Sequence, residues 1–474
     1  MTEPAAQESA LARFALRACA WAERWFPDAF GFAIVAVAVV ALAAIAIGVP
    51  AQQVAVQFGT GFWSLIPFTM QMAFIVIGGY VVADSPPLAR LVDALARLPR
   101  SPRGAVALVA TTSLLVSLVH WGLSLVLGSL LARALARREP LRVDYRAAGA
   151  ACCLGTGSVW ALGLSSSAAQ LQANAGSMPP ALLRVTGVIP FTETIFLWQS
   201  LFLAAILASV NVWIAWRTAP DAGRTVTAAQ LGITLRARDS SLPPPSRPGE
   251  FLEYSPLGNV FLALMIVVYL AHEAAARGLG ATISSLNNYN LLFLAAGLLL
   301  QWRPRRFLRA VADSVPGVTG ILVQFPLLGS IAAIMTTATT ADGHTIAGHL
   351  GHAFATWCSH DTFAPVVGAY SAILGLFMPS GGGKWIIEAP YVMQAAIELR
   401  YHLGWAVQIY NAAEALPNLI NPFWMLPVLG MLGLRARDLI GFTVVQFLIC
   451  LPVVILLLWA LGTTLAYHPP LIPG

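Results

Sequence analysis

Four polar islands of three kinds interrupt a chain that is otherwise apolar, and their residue types limit the chemistry open to it. The sharpest is Met378-Pro379-Ser380-Gly381-Gly382-Gly383-Lys384-Trp385. Three glycines leave backbone N–H groups open, and a helix is expected to begin at Trp385. A helix N-terminus carries partial positive charge and free donors, which suits a carboxylate. Ser380 adds a hydroxyl donor and Lys384 a full positive charge. The competing reading is an extramembrane turn with a solvated lysine, which the apolar flanking arms disfavour. A second island, His120-Trp121-Gly122-Leu123-Ser124, is poorer in glycine, but Gly122 and Ser124 match Gly381 and Gly383 in position. His120 either exchanges a proton near neutral pH or hydrogen-bonds a backbone carbonyl, the second being the commoner use of such a residue.

The third kind of island breaks a span. In the first half it is Trp160-Ala161-Leu162-Gly163-Leu164-Ser165-Ser166-Ser167; in the second it runs from Glu414 through Pro417, Asn418, Asn421 and Pro422 to Trp424. Two prolines within six residues interrupt helical hydrogen bonding. The freed carbonyls, with Asn418, Asn421 and the serines, make the oxygen-rich setting in which secondary transporters hold substrate and coupling ion. Alternatively, these side chains only bond between packed helices. Glu414 lies within the apolar core of its span, where a carboxylate needs a proton or a cation beside it, so Glu414, Asn418 and Asn421 are the coupling-ion candidates. Lys384 is its candidate partner, and Glu388 is a weaker candidate. Glu193 and Asp438 are expected to favour helix N-termini through the dipole.

Other chemistries find little support. His344, His349, His352 and His360 cluster in one loop without metalloprotease spacing. No phosphate-cradling loop or nucleophile elbow occurs, so neither ATP-driven pumping nor an enzyme is expected, and no metal or cofactor beyond a coupling H⁺ or Na⁺. The five cysteines form no disulfide or zinc pattern.

The elements that must position these islands are membrane helices. Of 474 residues, 58% are hydrophobic and 10% charged, against about 25% charged in a soluble domain. Hydropathy places spans near 29–48, 63–83, 147–167, 187–216, 257–272, 287–302, 315–336, 405–433 and 439–460. The stretches 104–136 and 362–398 are each long enough for two half-crossings and are broken mid-way, which reads as re-entrant hairpins. With the N-terminus cytoplasmic and the C-terminus outside, the inner loops collect the arginines, and only Arg184, Arg277 and Arg400 fall outside. Making either hairpin a full crossing would destroy that bias. The fold class is therefore an all-α membrane protein with about nine transmembrane helices and two re-entrant hairpins in an inverted repeat. Its parts are 1–62 with the first span, repeat unit 63–216, a flexible cytoplasmic linker 217–256, scaffold spans 257–314, repeat unit 315–460 and a tail 461–474. The basic residues lie between spans rather than on one face, so nucleic acid is not an expected partner. The extra spans serve as scaffold or as contacts in an oligomer such as a homodimer.

The chain resembles the bacterial short-chain fatty acid transporter family, within the wider ion transporter superfamily. The likeness covers nearly the whole chain. It rests on Trp25-Phe26-Pro27-Asp28, Gly59-Thr60-Gly61-Phe62-Trp63, Met70-Gln71-Met72-Ala73, Gly320-Ile321-Leu322-Val323-Gln324-Phe325-Pro326, Pro379-Ser380-Gly381-Gly382-Gly383 and Pro422-Phe423-Trp424. The resemblance implies uptake of small monocarboxylates such as butyrate or acetoacetate across the bacterial inner membrane, in symport with H⁺ or Na⁺. It also selects the hairpin tips and breaks as the substrate site: Trp121, Gly122, Ser124, Ser165, Ser166, Ser167, Ser380, Gly381, Gly382, Gly383, Lys384 and Asn418. Trp121, Trp160, Trp385 and Trp424 either wall a pocket for the alkyl tail or are packing aromatics. The chain departs from the family pattern at His120, where Asn is expected, and at Glu388-Ala389-Pro390, where Gln-Gly-Pro is expected. Substrate range and coupling ion depend on those positions. A dicarboxylate or amino-acid-conjugate carrier of the same architecture, or a carboxylate channel, is the alternative. The second unit, with its glycine run, lone lysine and Glu414, is expected to dominate, so bulk at Ser380 or Gly382 should cost more transport than bulk at Ser124 or Gly122.

Overall fold

The computed structural model describes Arg13, Phe14, Arg17, Arg24 and residues 29–470, other than 65, 174, 176–177, 179–182, 184, 222, 236–241, 243, 347, 350–355, 357 and 378–380. Trp25 to Asp28, His352 and Ser380 therefore lie outside the described residues. Helices make up the fold, and no β-strand forms among the described residues. In chain order they are α1 (Ala29–Ala46), α2 (Ala51–Ser64), α3 (Ile66–Ala83), α4 (Pro86–Arg97), α5 (Pro102–Ser117), α6 (Trp121–Ala136), α7 (Tyr145–Cys152) and α8 (Ser167–Gln172). Then come α9 (Trp198–Thr218), α10 (Leu257–Arg277), α11 (Leu279–Ser284), α12 (Leu286–Gln301) and α13 (Pro304–Thr337). The last are α14 (Phe363–Phe377), α15 (Gly381–Glu398), α16 (Leu403–Ala415), α17 (Pro422–Leu432) and α18 (Ala436–Gly462).

Among the described residues, 6 helices are long and apolar enough to cross a membrane, or 7 if α16 and α17, bent by 51°, make one span. The expected count was nine. One of the expected spans falls short by length: α12 has 16 residues, whereas α1 is an apolar helix of 18. The helices α5, α6 and α14 are likewise shorter apolar helices.

Local signals explain the boundaries. Ser101 accepts the Gly104 N–H (3.1 Å) with Pro102 behind it, which starts α5. Asp144 accepts the N–H groups of Arg146 and Ala147 to start α7. Asp438 accepts the Arg435 N–H at 2.8 Å in a capping box that opens α18.

Two groups of helices meet along a seam. On one side α1, α2 and α3 pack on the long α13, and α10 and α3 pack on α12. On the other, α5 packs with α6, α9 and α7, while α14 packs with α16 and α18. The seam itself is α3 against α6 and α13 against α17. Backbones approach closely there: a Cβ at Gly430 would overlap the Pro316 carbonyl. The linker is docked at both ends rather than loose. Val226 N–H reaches Asp144 Oδ2 (2.9 Å) and its carbonyl takes the Tyr145 N–H (2.9 Å), Arg103 pairs with Asp221 at 3.0 Å, and Glu250 lies 3.6 Å from Arg305.

Candidate functional site

The first break and the first tip are stitched together by one hydroxyl. Helix α5 ends at Ser117 and α6 begins at Trp121, so the expected gap falls at residues 118–120. Ser165 Oγ accepts the Trp121 N–H (3.0 Å) and donates to the Ser117 carbonyl (2.8 Å). Ser124 Oγ donates to the Trp121 carbonyl (2.7 Å), and Ser166 caps α8 through the Ala169 N–H (3.2 Å). These hydroxyls serve the backbone. His120 caps α6: its Nδ1 accepts the Leu123 N–H at 2.9 Å, an amide rather than the expected carbonyl partner. Its ring lies against Phe293 and Tyr289 of α12, centroids 3.8 and 4.9 Å away, and the Tyr289 hydroxyl donates to the Val119 carbonyl.

The second tip differs from expectation in where its helix starts. Gly381, Gly382 and Gly383 are already helical in α15, upstream of the expected start at Trp385. That register sets Lys384 and Glu388 one turn apart, and they pair at 3.4 Å with both side chains fully buried. Lys384 Nζ also donates to the Ser371 carbonyl (2.7 Å), and Ser371 Oγ donates to Glu388 Oε2 (2.6 Å). The lysine thus turns into α14 and not toward the tip surface, where Gly383 is exposed. Tyr410, which the sequence reading passed over, donates to the Gly381 carbonyl at 2.6 Å. Its place one turn before Glu414 was the available signal.

The second break holds its shape through its own polar groups. Residues Leu416–Leu419 tighten into a 3₁₀ turn between α16 and α17. Asn421 caps α17 through the Phe423 N–H (3.1 Å) and donates to the Leu376 carbonyl at the end of α14 (3.1 Å). Its polar groups are therefore already engaged. Asn418 Nδ2 donates to the Thr156 carbonyl (3.0 Å) in the first break, where Gly155–Val159 form a π-turn. A Cβ at Gly157 would overlap Leu419, so the two breaks touch.

Tip and breaks converge on one place. A Cβ built at Gly381 would stand 2.7 Å from Trp160 Cη2 and 3.5 Å from Glu414 Oε2, and one at Gly382 would stand 3.1 Å from Ser167 Cβ. Trp424 meets Trp121 edge-on at 5.2 Å, Trp160 at 6.3 Å and Phe325 at 6.0 Å. Trp385 goes elsewhere, onto Tyr410 at 4.6 Å. Several buried atoms here have no hydrogen-bond partner among the described residues: both Glu414 carboxylate oxygens, Asn418 Oδ1, and the indole nitrogens of Trp160 and Trp424. Glu193 is not a helix-dipole partner; it bonds His402 Nε2 at 3.1 Å, five residues before α9 starts.

A separate cavity of about 890 Å³ opens at the other ends of α6 and α17. Arg90, Arg133, Arg137, Arg306 and Arg309 line it, with Asp84, Asp93 and Asp313. It ends at Gly430 and Met431, about 15 Å along α17 from the break at Asn421. None of its lining residues belongs to the central cluster.

Residues 10–461 match the family described as Short chain fatty acid transporter. The chain belongs to that family. Family members similar to it include a candidate short-chain fatty acid transporter of Escherichia coli (strain K12), 31% identical over 441 residues, covering 92% of this chain and 96% of that one. A second, from Haemophilus influenzae, is 30% identical over 410 residues, covering 85% and 89%. Among solved structures, the YdaH transporter of Alcanivorax borkumensis superposes with a TM-score of 0.44 at 16% identity, over 87% of this chain and 88% of that one. As a member of the short-chain fatty acid transporter family with several apolar helices, the chain is a multi-pass membrane transporter whose substrate is a small molecule.

Proposed function

We propose that the protein takes up short monocarboxylates, such as butyrate or acetoacetate, as a secondary active transporter of the bacterial inner membrane coupled to H⁺ or Na⁺. The observation that supports this most is the pair of buried indole N–H groups of Trp160 and Trp424. They lack hydrogen-bond partners among the described residues, on rings 6.3 Å apart. A buried donor left unmatched costs about 1–3 kcal/mol, and a carboxylate held between the rings would accept from both. Gly381 and Gly382, lacking side chains, bring the backbone of α15 close to Trp160 and Ser167. Trp121 and Phe325 offer apolar walls for a short alkyl tail.

One head group fits this place better than two. Lys384 already faces the buried Glu388 carboxylate and the Ser371 carbonyl, so a second substrate carboxylate would meet buried carboxylates and no free cation. In this reading the helix pairs α5–α6 and α14–α15 are re-entrant hairpins entering from opposite faces. The arginine-lined cavity is then the cytoplasmic mouth, where net positive charge gathers carboxylates. The test is uptake of labelled butyrate into proteoliposomes under separately imposed pH and sodium gradients. Saturable, gradient-driven accumulation is expected, which a channel cannot produce. Absence of gradient-dependent uptake for every two- to six-carbon carboxylate overturns the assignment.

A further inference from the structure

The lone lysine of the chain sits among more buried carboxylates than it can neutralise. Lys384 and Glu388 are fully buried and 3.4 Å apart. Glu414, from the neighbouring helix α16, is fully buried as well, and neither of its oxygens has a hydrogen-bond partner among the described residues. Tyr410 joins these groups. Its hydroxyl donates to the Gly381 carbonyl (2.6 Å), and its ring lies 4.8 Å from Lys384 Nζ. Glu414 follows Tyr410 by one turn on the same helix face, with Oε2 close to Gly381. Glu388, Lys384 and Glu414 are electrostatic neighbours of one another.

Deepening the carrier reading above, we infer that Lys384, Glu388 and Glu414 form one buried charge cluster that binds a single exchangeable proton, the lysine ammonium being shared between the two carboxylates. Fully ionised, the cluster carries a net charge of −1, and an uncompensated charge so deep in a membrane protein is strongly disfavoured. The other titratable groups that face it are tyrosines: Tyr370 from α14, Tyr391 from α15 and Tyr410 from α16. Tyr370 and Tyr391 bond each other at 2.7 Å. Helix α8 and the turn at Trp160 bring Ser167 and an indole, neither of which supplies positive charge. One more positive charge is therefore required.

A proton meets that need better than a metal cation. Among the described residues the side-chain oxygens without a hydrogen-bond partner in this region are both of Glu414, Asn418 Oδ1 and Glu388 Oε1, and the last already lies 3.4 Å from the ammonium, a thin set for an ion that takes several oxygen ligands. No three His, Cys, Asp or Glu residues are placed to hold a metal ion among the described residues. The ammonium nearby would also repel a second cation. A proton on either carboxylate leaves the ammonium paired with the other, so the proton can change owner without exposing charge.

Counting protonated carboxyl groups by infrared difference titration of the full-length protein in liposomes tests the cluster without any substrate. The wild type should show one protonated-carboxyl C=O band from the buried cluster. Glu388→Gln and Glu414→Gln should each abolish it, because one carboxylate then balances the lysine. Lys384→Gln should double its area, since two carboxylates are left without an ammonium. A wild type lacking the band, a glutamine variant retaining it, or a Lys384→Gln variant with unchanged area would overturn the cluster. Should a single variant fail to fold, the double variant Lys384→Gln/Glu388→Gln must keep a single wild-type band, and losing it also overturns the cluster. An intact band in a protein that moves no carboxylate counts against the substrate assignment alone.

Discussion

Ser165 holds the first hairpin at its gap: its hydroxyl takes the Trp121 N–H at 3.0 Å and gives its own proton to the Ser117 carbonyl at 2.8 Å. The residues on either side of the break thus satisfy each other through a single side chain from the next span. Ser165→Ala leaves both backbone groups unmatched in a buried setting. The expected loss is about 1–3 kcal/mol, read as a lower unfolding temperature in detergent together with reduced butyrate counterflow.

Gly122 and Gly382 lie one in each tip but meet different neighbours. A Cβ at Gly122 would overlap Ile75 Cγ2 of α3, across the seam, whereas one at Gly382 would stand 3.1 Å from Ser167 Cβ. Gly122→Ala should therefore cost roughly 1–3 kcal/mol of stability through overpacking, visible as poor yield and early unfolding. Gly382→Ala should keep near-normal thermal stability and lose transport.

Trp160 and Trp424 should contribute as donors and not only as walls. Trp160→Phe and Trp424→Phe keep an aromatic ring and remove the indole N–H. Hydrogen bonds to charged groups are worth about 1.5–3 kcal/mol, so each change should raise KM for butyrate by roughly 10-fold or more. A transport assay in which both variants keep the wild-type KM would remove the indoles from the site.

At the linker's end, the Ser246 N–H bonds Glu250 Oε2 at 2.6 Å. That bond, helped by Arg247, the Ser246 hydroxyl and Arg305, holds the Glu250 carboxyl below the usual carboxylate range. A lowered folded value means the contribution is complete above the unfolded carboxylate range near pH ~4 and is lost as pH falls through the folded value. Limited proteolysis within 217–256 should be slow at neutral pH and speed up in acid. Glu250→Gln should be cut faster at neutral pH and lose most of this acid response.

Much of this arrangement is legible in the residues themselves. Pro417 lies in the 3₁₀ turn at Leu416–Leu419, which falls on its polar island, and the gap at 118–120 touches its island at His120. The Lys384–Glu388 pair was not legible, because three consecutive glycines have poor helix propensity and were read as an open turn. Packing against α16 carries the helix through them, and only then do Lys384 and Glu388 stand one turn apart. The Glu193–His402 bond joins residues 209 positions apart, and nothing local in the sequence announces it. Asn421 was read as an ion ligand from its type alone. Its backbone bonds to Phe423 and Leu376 emerge only once α14 and α17 are in place.

The anchoring of the first tip to α3 and α12 has a mechanical consequence. Sliding α6 past α3 would have to unseat Gly122 from Ile75 and His120 from Phe293, and would break the bond between Tyr289 and the Val119 carbonyl. The tip of α15 touches Trp160, Ser167 and α16 on its own side of the seam. The described part of the first tip is tied across the seam, and that of the second to its own side. Stiffness is thus distributed unequally between two halves that the sequence makes look alike.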